Sequence, residues 1–214
     1  LARALLMKPA LLLMDEPLSA VDSGFKAGFL PLLKQLVRQY RIPVLYVSHA
    51  TDEVAQIADT LVWFSKQAAP LYGPVSDMLT DPALPLAARA DAESVVEAEV
   101  SCFDTHYSLL HLQFAGGELI VSGHNLAPGT RVRLRIMAQD VSLTLQPQQD
   151  TSIVNICAAT IIDLVPYSES QITVLLTLGA TRLLARITRK SADLLGLQAG
   201  QQVFAQIKSV AVLQ

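Results

Sequence analysis

The 214-residue chain carries 16 basic and 19 acidic residues, for a formal charge of −3, and is 51% hydrophobic at a mean hydropathy of +0.39. That length holds two domains with real cores, yet no apolar run approaches the ~18 residues a bilayer-spanning helix needs and no cleavable signal pattern opens the chain. The lack of a basic block argues against a nucleic-acid partner, and the two separated cysteines, Cys102 and Cys157, form neither a metal motif nor a disulfide framework; both are expected to be reduced thiols, Cys157 packed inside an apolar strand.

Leu1 to Met7 are strong helix formers from the first position with no cap before them, so the chain is expected to start within a helix that Lys8-Pro9 ends. Leu11-Leu12-Leu13-Met14 then stand directly before Asp15-Glu16-Pro17. So short and apolar a run predicts a strand covered on both faces, stopped by Pro17, which has no N–H for the ladder. From Ser23 to about Tyr40, Phe25, Phe29, Leu32, Leu33, Leu36 and Val37 recur at helical spacing, with Pro31 expected to kink the helix or force a restart near Leu30. Pro43 to Val47 predicts a second strand, ending in Ser48-His49. A strand–helix–strand unit has parallel strands, so Asp15, Glu16 and His49 are expected at one edge, the C-terminal edge where open α/β sheets bind ligands. Two adjacent acids there can divide the labour of phosphoryl transfer, one fixing a cation and the other handling a water.

After His49, Thr51 or Asp52 is expected to cap a helix with Val54, Ile57 and Ala58 inside, and Leu61 to Phe64 to return as a strand. Tyr72-Gly73-Pro74 predicts a turn and Val75 to Leu79 a short helix; the domain boundary falls near the end of the proline- and alanine-rich stretch 81–94. From Val95 the pattern predicts strands over 95–103, 109–114, 119–121, 132–145, 153–165, 172–178, 183–187 and 203–212, a small β-barrel architecture. A shift of 71 positions pairs Leu126 with Leu197, Gly129 with Gly200, Val132 with Val203, Ile136 with Ile207 and Val141 with Val212, which predicts two related barrel units.

Leu11 to Pro17 resembles the Walker B strand of an ABC-transporter ATPase, Ser19-Ala20-Val21-Asp22 its D-loop, and His49 its switch histidine. The segment from Arg135 to Val141 resembles the barrel appended to many importer ATPases, and 151–213, with Thr188 to Ala192, is similar to the Mop domain that binds molybdate or tungstate. The resemblance implies an α/β unit that is part of a P-loop ABC ATPase domain (1–93), followed by an all-β OB-like barrel built from a TOBE-like unit (94–148) and a Mop-type unit (149–214). It places the Walker A loop and the LSGGQ-type signature upstream of Leu1, so the 214 residues alone are expected to be inactive. It implies that Asp15 holds Mg²⁺ through water, that Glu16 polarises the attacking water, that His49 senses the γ-phosphate of ATP, and that Ser19 and Asp22 face a second copy in a homodimer. Ser152, Asn155, Lys208 and Ser209 are the donors expected to hold the oxyanion, molybdate as a regulatory ligand; many Mop sequences have Arg where Val154 stands here. The same four side chains also suit a solvated strand edge (Lys208, Ser209) and turn chemistry (Ser152, Asn155). The implied function is ATP hydrolysis coupled to molybdate import through a separate permease, at the cytoplasmic face of the inner membrane, with a molybdate-binding protein as an indirect partner. Another oxyanion, tungstate or sulfate, or a non-catalytic molybdate-binding, storage or regulatory protein, is the alternative; no helix-turn-helix is visible for a transcription factor.

Overall fold

A computed structural model describes residues 5–7, 9–65 and 69–213, without the side chains of Ser23, Ala27 and Arg38. Most of the predicted opening helix, residues 1–4, and its Lys8 stop lie outside the described residues. The first unit comprises β1 (Leu12–Asp15), α1 (Ser23–Tyr40), β2 (Val44–Val47), α2 (Thr51–Ile57), β3 (Thr60–Trp63), β4 (Leu71–Pro74) and α3 (Val75–Thr80). β1 and β2 pair in parallel with Leu13 opposite Leu45 and Asp15 opposite Val47, as a strand–helix–strand crossover requires.

Three local expectations are corrected. Within these 214 residues β1 is covered on one face: Leu12 is 6% exposed, whereas Leu13 is 66% exposed, and the register puts Leu13, Leu45 and Val47 on the face of the two-stranded sheet that this stretch of chain leaves uncovered. α1 runs as one helix through Pro31, so of the two outcomes expected there, a kink or a restart, the restart near Leu30 is the one corrected. Its inward residues Leu30 and Leu33 are buried, and that packing opposes a proline penalty of about 3 kcal/mol, while Phe25 and Leu32 face outward. Ala50, not Thr51 or Asp52, is the N-cap of α2, and it makes no side-chain cap.

The remainder is all β apart from one helix. β5 (Glu93–Asp104), β6 (Leu109–Phe114), β7 (Gly117–Ser122), β8 (Arg131–Met137) and β14 (Ala211–Leu213) form one antiparallel sheet in the order β14-β8-β5-β6-β7. β9 (Val141–Thr144), β10 (Asn155–Pro166), β11 (Gln171–Leu178), β12 (Thr181–Thr188) and β13 (Gln202–Ile207) form the other in the order β12-β11-β10-β13-β9, and α4 (Arg189–Leu195) follows β12. The strand predicted over 132–145 is thus two strands in two sheets, broken by a 3₁₀ turn at Ala138–Asp140, and the strand predicted over 203–212 breaks likewise after Ile207. A strand that runs past the width of one sheet must turn a corner into the next. In chain order the two barrel units follow one another; in space each receives its last strand from the other.

The repeat is visible in the backbone. Gly129 and Gly200 both have φ +83°, which favours glycine, and their N–H groups donate to Val100 and Ile161, each at 2.8 Å. β5 shifts register between Val100 and Cys102, and β10 between Ile161 and Asp163, so both long strands bulge at the equivalent place. One apolar core fills both sheets, including Leu112, Leu134, Val174 and Leu176, each fully buried, and Cys157. At the start of each long strand one buried polar side chain bridges the units: Asn155 reaches Ile120 of β7, and Ser94 accepts from Leu184 N–H of β12 at 2.9 Å.

The barrel is packed onto the first unit. Ala55, Met78 and Leu79 share a cluster with Val95, and the buried Arg133 of β8 donates to the carbonyls of Ala55 (3.3 Å) and Ala58 (2.8 Å) at the C-terminal end of α2 while pairing with Asp59 and Glu97. Among the described residues no helix is long and apolar enough to cross a membrane.

Glu93, 3% exposed, stands 3.6 Å from Arg135 with its Oε1 unbonded. Burial pushes its carboxyl up from 4.5 to about 7, with Arg135 pulling the other way. Since the folded pKa lies above the unfolded one, the group's stabilising preference for the proton is fully present below about pH 4.5 and is lost as pH rises through about 7. Glu93→Gln stays neutral throughout. It is expected to match the wild type near pH 4.5 and to exceed it by on the order of 3 kcal/mol above about pH 8, at about 1.4 kcal/mol per pKa unit. Urea unfolding at the two pH values checks this, and an equal gap at both would contradict it.

Candidate functional site

Asp15 is the last residue of β1, and Glu16 turns the chain out of the strand with φ +42°, a left-handed conformation that costs a non-glycine residue of order 1–2 kcal/mol. The turn is clamped on both sides. Glu16 N–H donates to Val47 O at 2.8 Å, and Glu16 O accepts from both the N–H (3.2 Å) and the hydroxyl (3.0 Å) of Ser19, while Leu18, 2% exposed, anchors the turn in the interior. β2 delivers His49 two residues past its end, so that His49 Nε2 lies 3.0 Å from Glu16 Oε1. The parallel pairing thus brings Asp15, Glu16 and His49 to one strand edge, as expected. Both partners of that contact are open to solvent, the Glu16 side chain 38% and the His49 ring 77% exposed, so a phosphate or a water has access.

Ser19 and Asp22 are exposed on the following turn, and each has a local partner: Ser19 bonds back to Glu16, and Asp22 Oδ1 accepts from Phe25 N–H at 2.9 Å as the N-cap of α1. No group of three or more metal-ligating side chains exists among the described residues. A single exposed carboxylate at a strand end nevertheless fits a hard cation that keeps most of its waters and takes its other oxygens from phosphate, and Asp15 is that carboxylate.

Behind this edge lies a group that sequence reasoning missed. Glu53, in the first turn of α2, is 2% exposed, and its carboxylate accepts from Lys26 Nζ (2.7 Å), Tyr46 OH (2.7 Å) and Ser48 Oγ (2.9 Å). Burial acts to raise its pKa, but the three hydrogen bonds and the Lys26 charge outweigh that and hold the carboxyl below the usual range. Lys26 and Tyr46 are raised correspondingly, Lys26 by its hydrogen bond to Glu53 and Tyr46 first by burial and then by the same carboxylate. The only signal in the sequence was an acid in a first helical turn, the ordinary partner of a helix dipole.

At the other site, the β10–β13 ladder ends at the pair Asn155 and Ile207, so Ser152 approaches and Lys208 and Ser209 leave the same end of one sheet. Ser152, Lys208 and Ser209 are exposed, as is Val154, while Lys208 N–H donates to Asp140 O at 2.8 Å. Asn155 differs: it is buried, accepts from Ile120 N–H at 2.7 Å and donates to Ile120 O at 2.9 Å. Its amide is engaged in joining the two barrel units, not in a turn. A separate groove of about 940 Å³ between α1 and the first barrel sheet, with Pro31, Asp59, Glu97, Arg131 and Arg133 among its walls, contains none of these residues.

Residues 151–214 match the TOBE domain family. Along its whole length the chain is 46% identical to the molybdenum import ATP-binding protein ModC of Albidiferax ferrireducens and 48% identical to that of Pseudomonas fluorescens, covering 58% and 60% of those proteins. The chain thus spans about three-fifths of the curated relatives it matches. Among solved structures, the cytoplasmic molybdate-binding protein ModG, in a molybdate-bound crystal form, superposes with a TM-score of 0.51 over 56% of this chain and 94% of that one; at 22% identity the likeness is one of fold and supports an OB-like β architecture for the barrel. With two acids and a histidine at one strand edge and two paired barrel units, the chain is similar along its whole length to molybdenum import ATP-binding proteins.

Proposed function

We propose that this chain supplies the hydrolytic strand edge and the regulatory barrel of an ABC-type ATPase that drives molybdate import. The observation that carries the reading is the 3.0 Å contact of Glu16 with His49 beside Asp15 at the C-terminal edge of a parallel strand pair. Glu16 takes the proton of the attacking water, and His49, within hydrogen-bond reach of Glu16, orients it and meets the γ-phosphate side. Asp15 holds Mg²⁺ through water; the ion when bound offsets phosphate charge. Ser19 and Asp22 face a second copy, and two copies close on ATP.

The molybdate assignment rests on the names of the full-length relatives and on the Mop-like donors. The division of labour follows the chain: 1–93 supplies part of the ATPase domain, including its hydrolytic strand edge, and 94–148 with 149–214 act as one barrel because they exchange strands. Ser152, Lys208 and Ser209 take the oxyanion at the sheet end, and Asn155 holds that end in shape. The protein works at the cytoplasmic face of the inner membrane, bound to permease subunits that receive cargo from an external molybdate-binding protein. The test is Mg²⁺-dependent ATP hydrolysis by the full-length protein assembled with its permease. Turnover is expected; a properly assembled complex that hydrolyses no ATP would sink the reading.

A further inference from the structure

The Glu53 carboxylate joins three segments that the proposed chemistry needs in fixed relation. Lys26 belongs to the first turns of α1, directly after the turn carrying Ser19 and Asp22; Tyr46 lies on β2; Ser48 immediately precedes His49. The Ser48 hydroxyl also accepts from Ala50 N–H at 3.1 Å, so the residues on both sides of His49 are tied to one buried anion. A carboxylate 98% withdrawn from solvent is costly unless its lone pairs are filled, and here three donors fill them. A fold that needed only a packed helix would be served by an apolar residue at this position. We infer that Glu53 is a positioning residue: it sets the reach of His49 to Glu16 and fixes that pair relative to the segment bearing Ser19 and Asp22. This inference rests on the ATPase reading for its kinetic consequence, but not for its geometry.

The geometry is tested first, on the 214-residue chain by NMR. The wild type is expected to show a nuclear Overhauser contact between the His49 ring and the Glu16 side chain. In Glu53→Gln one acceptor oxygen becomes a donor facing other donors, and in Ser48→Ala the link to His49 is lost. Both variants are expected to weaken the contact several-fold while the barrel resonances stay in place. An undiminished contact in both would overturn the inference. In the full-length protein with its permease, the two variants are expected to lower kcat for ATP about tenfold or more with KM within about twofold. In a His49→Ala background, which is expected to fold because the ring is 77% exposed, Glu53→Gln is expected to add little further loss in single-turnover hydrolysis, because it acts through the missing ring. A loss of equal size in both backgrounds would make Glu53 a fold clip only. A wild type that hydrolyses no ATP, together with a Glu16–His49 contact that depends on Glu53, would sink the ATPase reading and leave the positioning role standing.

Discussion

Glu16→Gln in the full-length protein, joined to its permease, is expected to lower ATP turnover by about 10²–10⁴-fold, the range that general-base assistance supplies, while sparing ATP binding. The substitution is close to isosteric. Glutamine fills the same volume and can still bond His49, and the backbone that holds this position, Glu16 N–H on Val47 O and Ser19 on Glu16 O, does not involve the side chain. What disappears is the ability to accept the proton of the attacking water. The left-handed φ of +42° argues the same way, since strain at a strand exit is tolerated where it aims a functional side chain. Steady-state hydrolysis beside nucleotide binding separates the two effects: unchanged affinity with lost kcat is expected, and a near-wild-type rate would remove Glu16 from the role of base.

Lys208→Ala is expected to weaken molybdate binding by about 1.5–3 kcal/mol, the worth of a charge-assisted hydrogen bond, which is roughly 10- to 150-fold in Kd. Folding should survive. Lys208 is exposed, and the bond that anchors it is its own backbone N–H on Asp140 O, which alanine keeps. With Val154 where many related barrels have Arg, the lysine is the one cationic side chain among the expected donors, so its loss is felt in full. Isothermal titration of the chain with molybdate, and with sulfate in parallel, measures this. Equal Kd for wild type and variant would move the anion away from Lys208, and equal or absent heat for both anions would remove the oxyanion role from the barrel.

Where an element is specified by neighbours in the chain, the sequence was legible. Four apolar residues ending in Asp15-Glu16-Pro17, and a second run ending in Ser48-His49, needed only the parallel crossover rule to place three side chains together. Gly129 and Gly200 announced the repeated turn because both require positive φ. What was illegible depends on partners far along the chain. Lys26 and Glu53 are 27 positions apart, Asn155 and Ile120 are 35 apart, and Arg133 and Ala55 are 78 apart, and no periodicity encodes such pairs. The break at Ala138–Asp140 left a trace, a slip in the buried alternation from Val132, Leu134, Ile136 and Ala138 to Val141 and Leu143, but alternation alone does not assign the two parts to different sheets. The face of Leu13 and Leu45 that this stretch of chain leaves uncovered was missed for a related reason: an apolar run looks the same whether one face is covered or two.

ATP-driven accumulation of molybdate by sealed vesicles tests the central claim most directly. The full-length protein is assembled with its permease and binding protein, ATP and Mg²⁺ are supplied on the face bearing the ATPase, and molybdate uptake is followed against the Glu16→Gln protein. The account predicts uptake that requires ATP and fails with the glutamine variant. Uptake that proceeds equally without ATP or with Glu16→Gln, or a wild-type assembly that hydrolyses ATP but moves no molybdate, would contradict it.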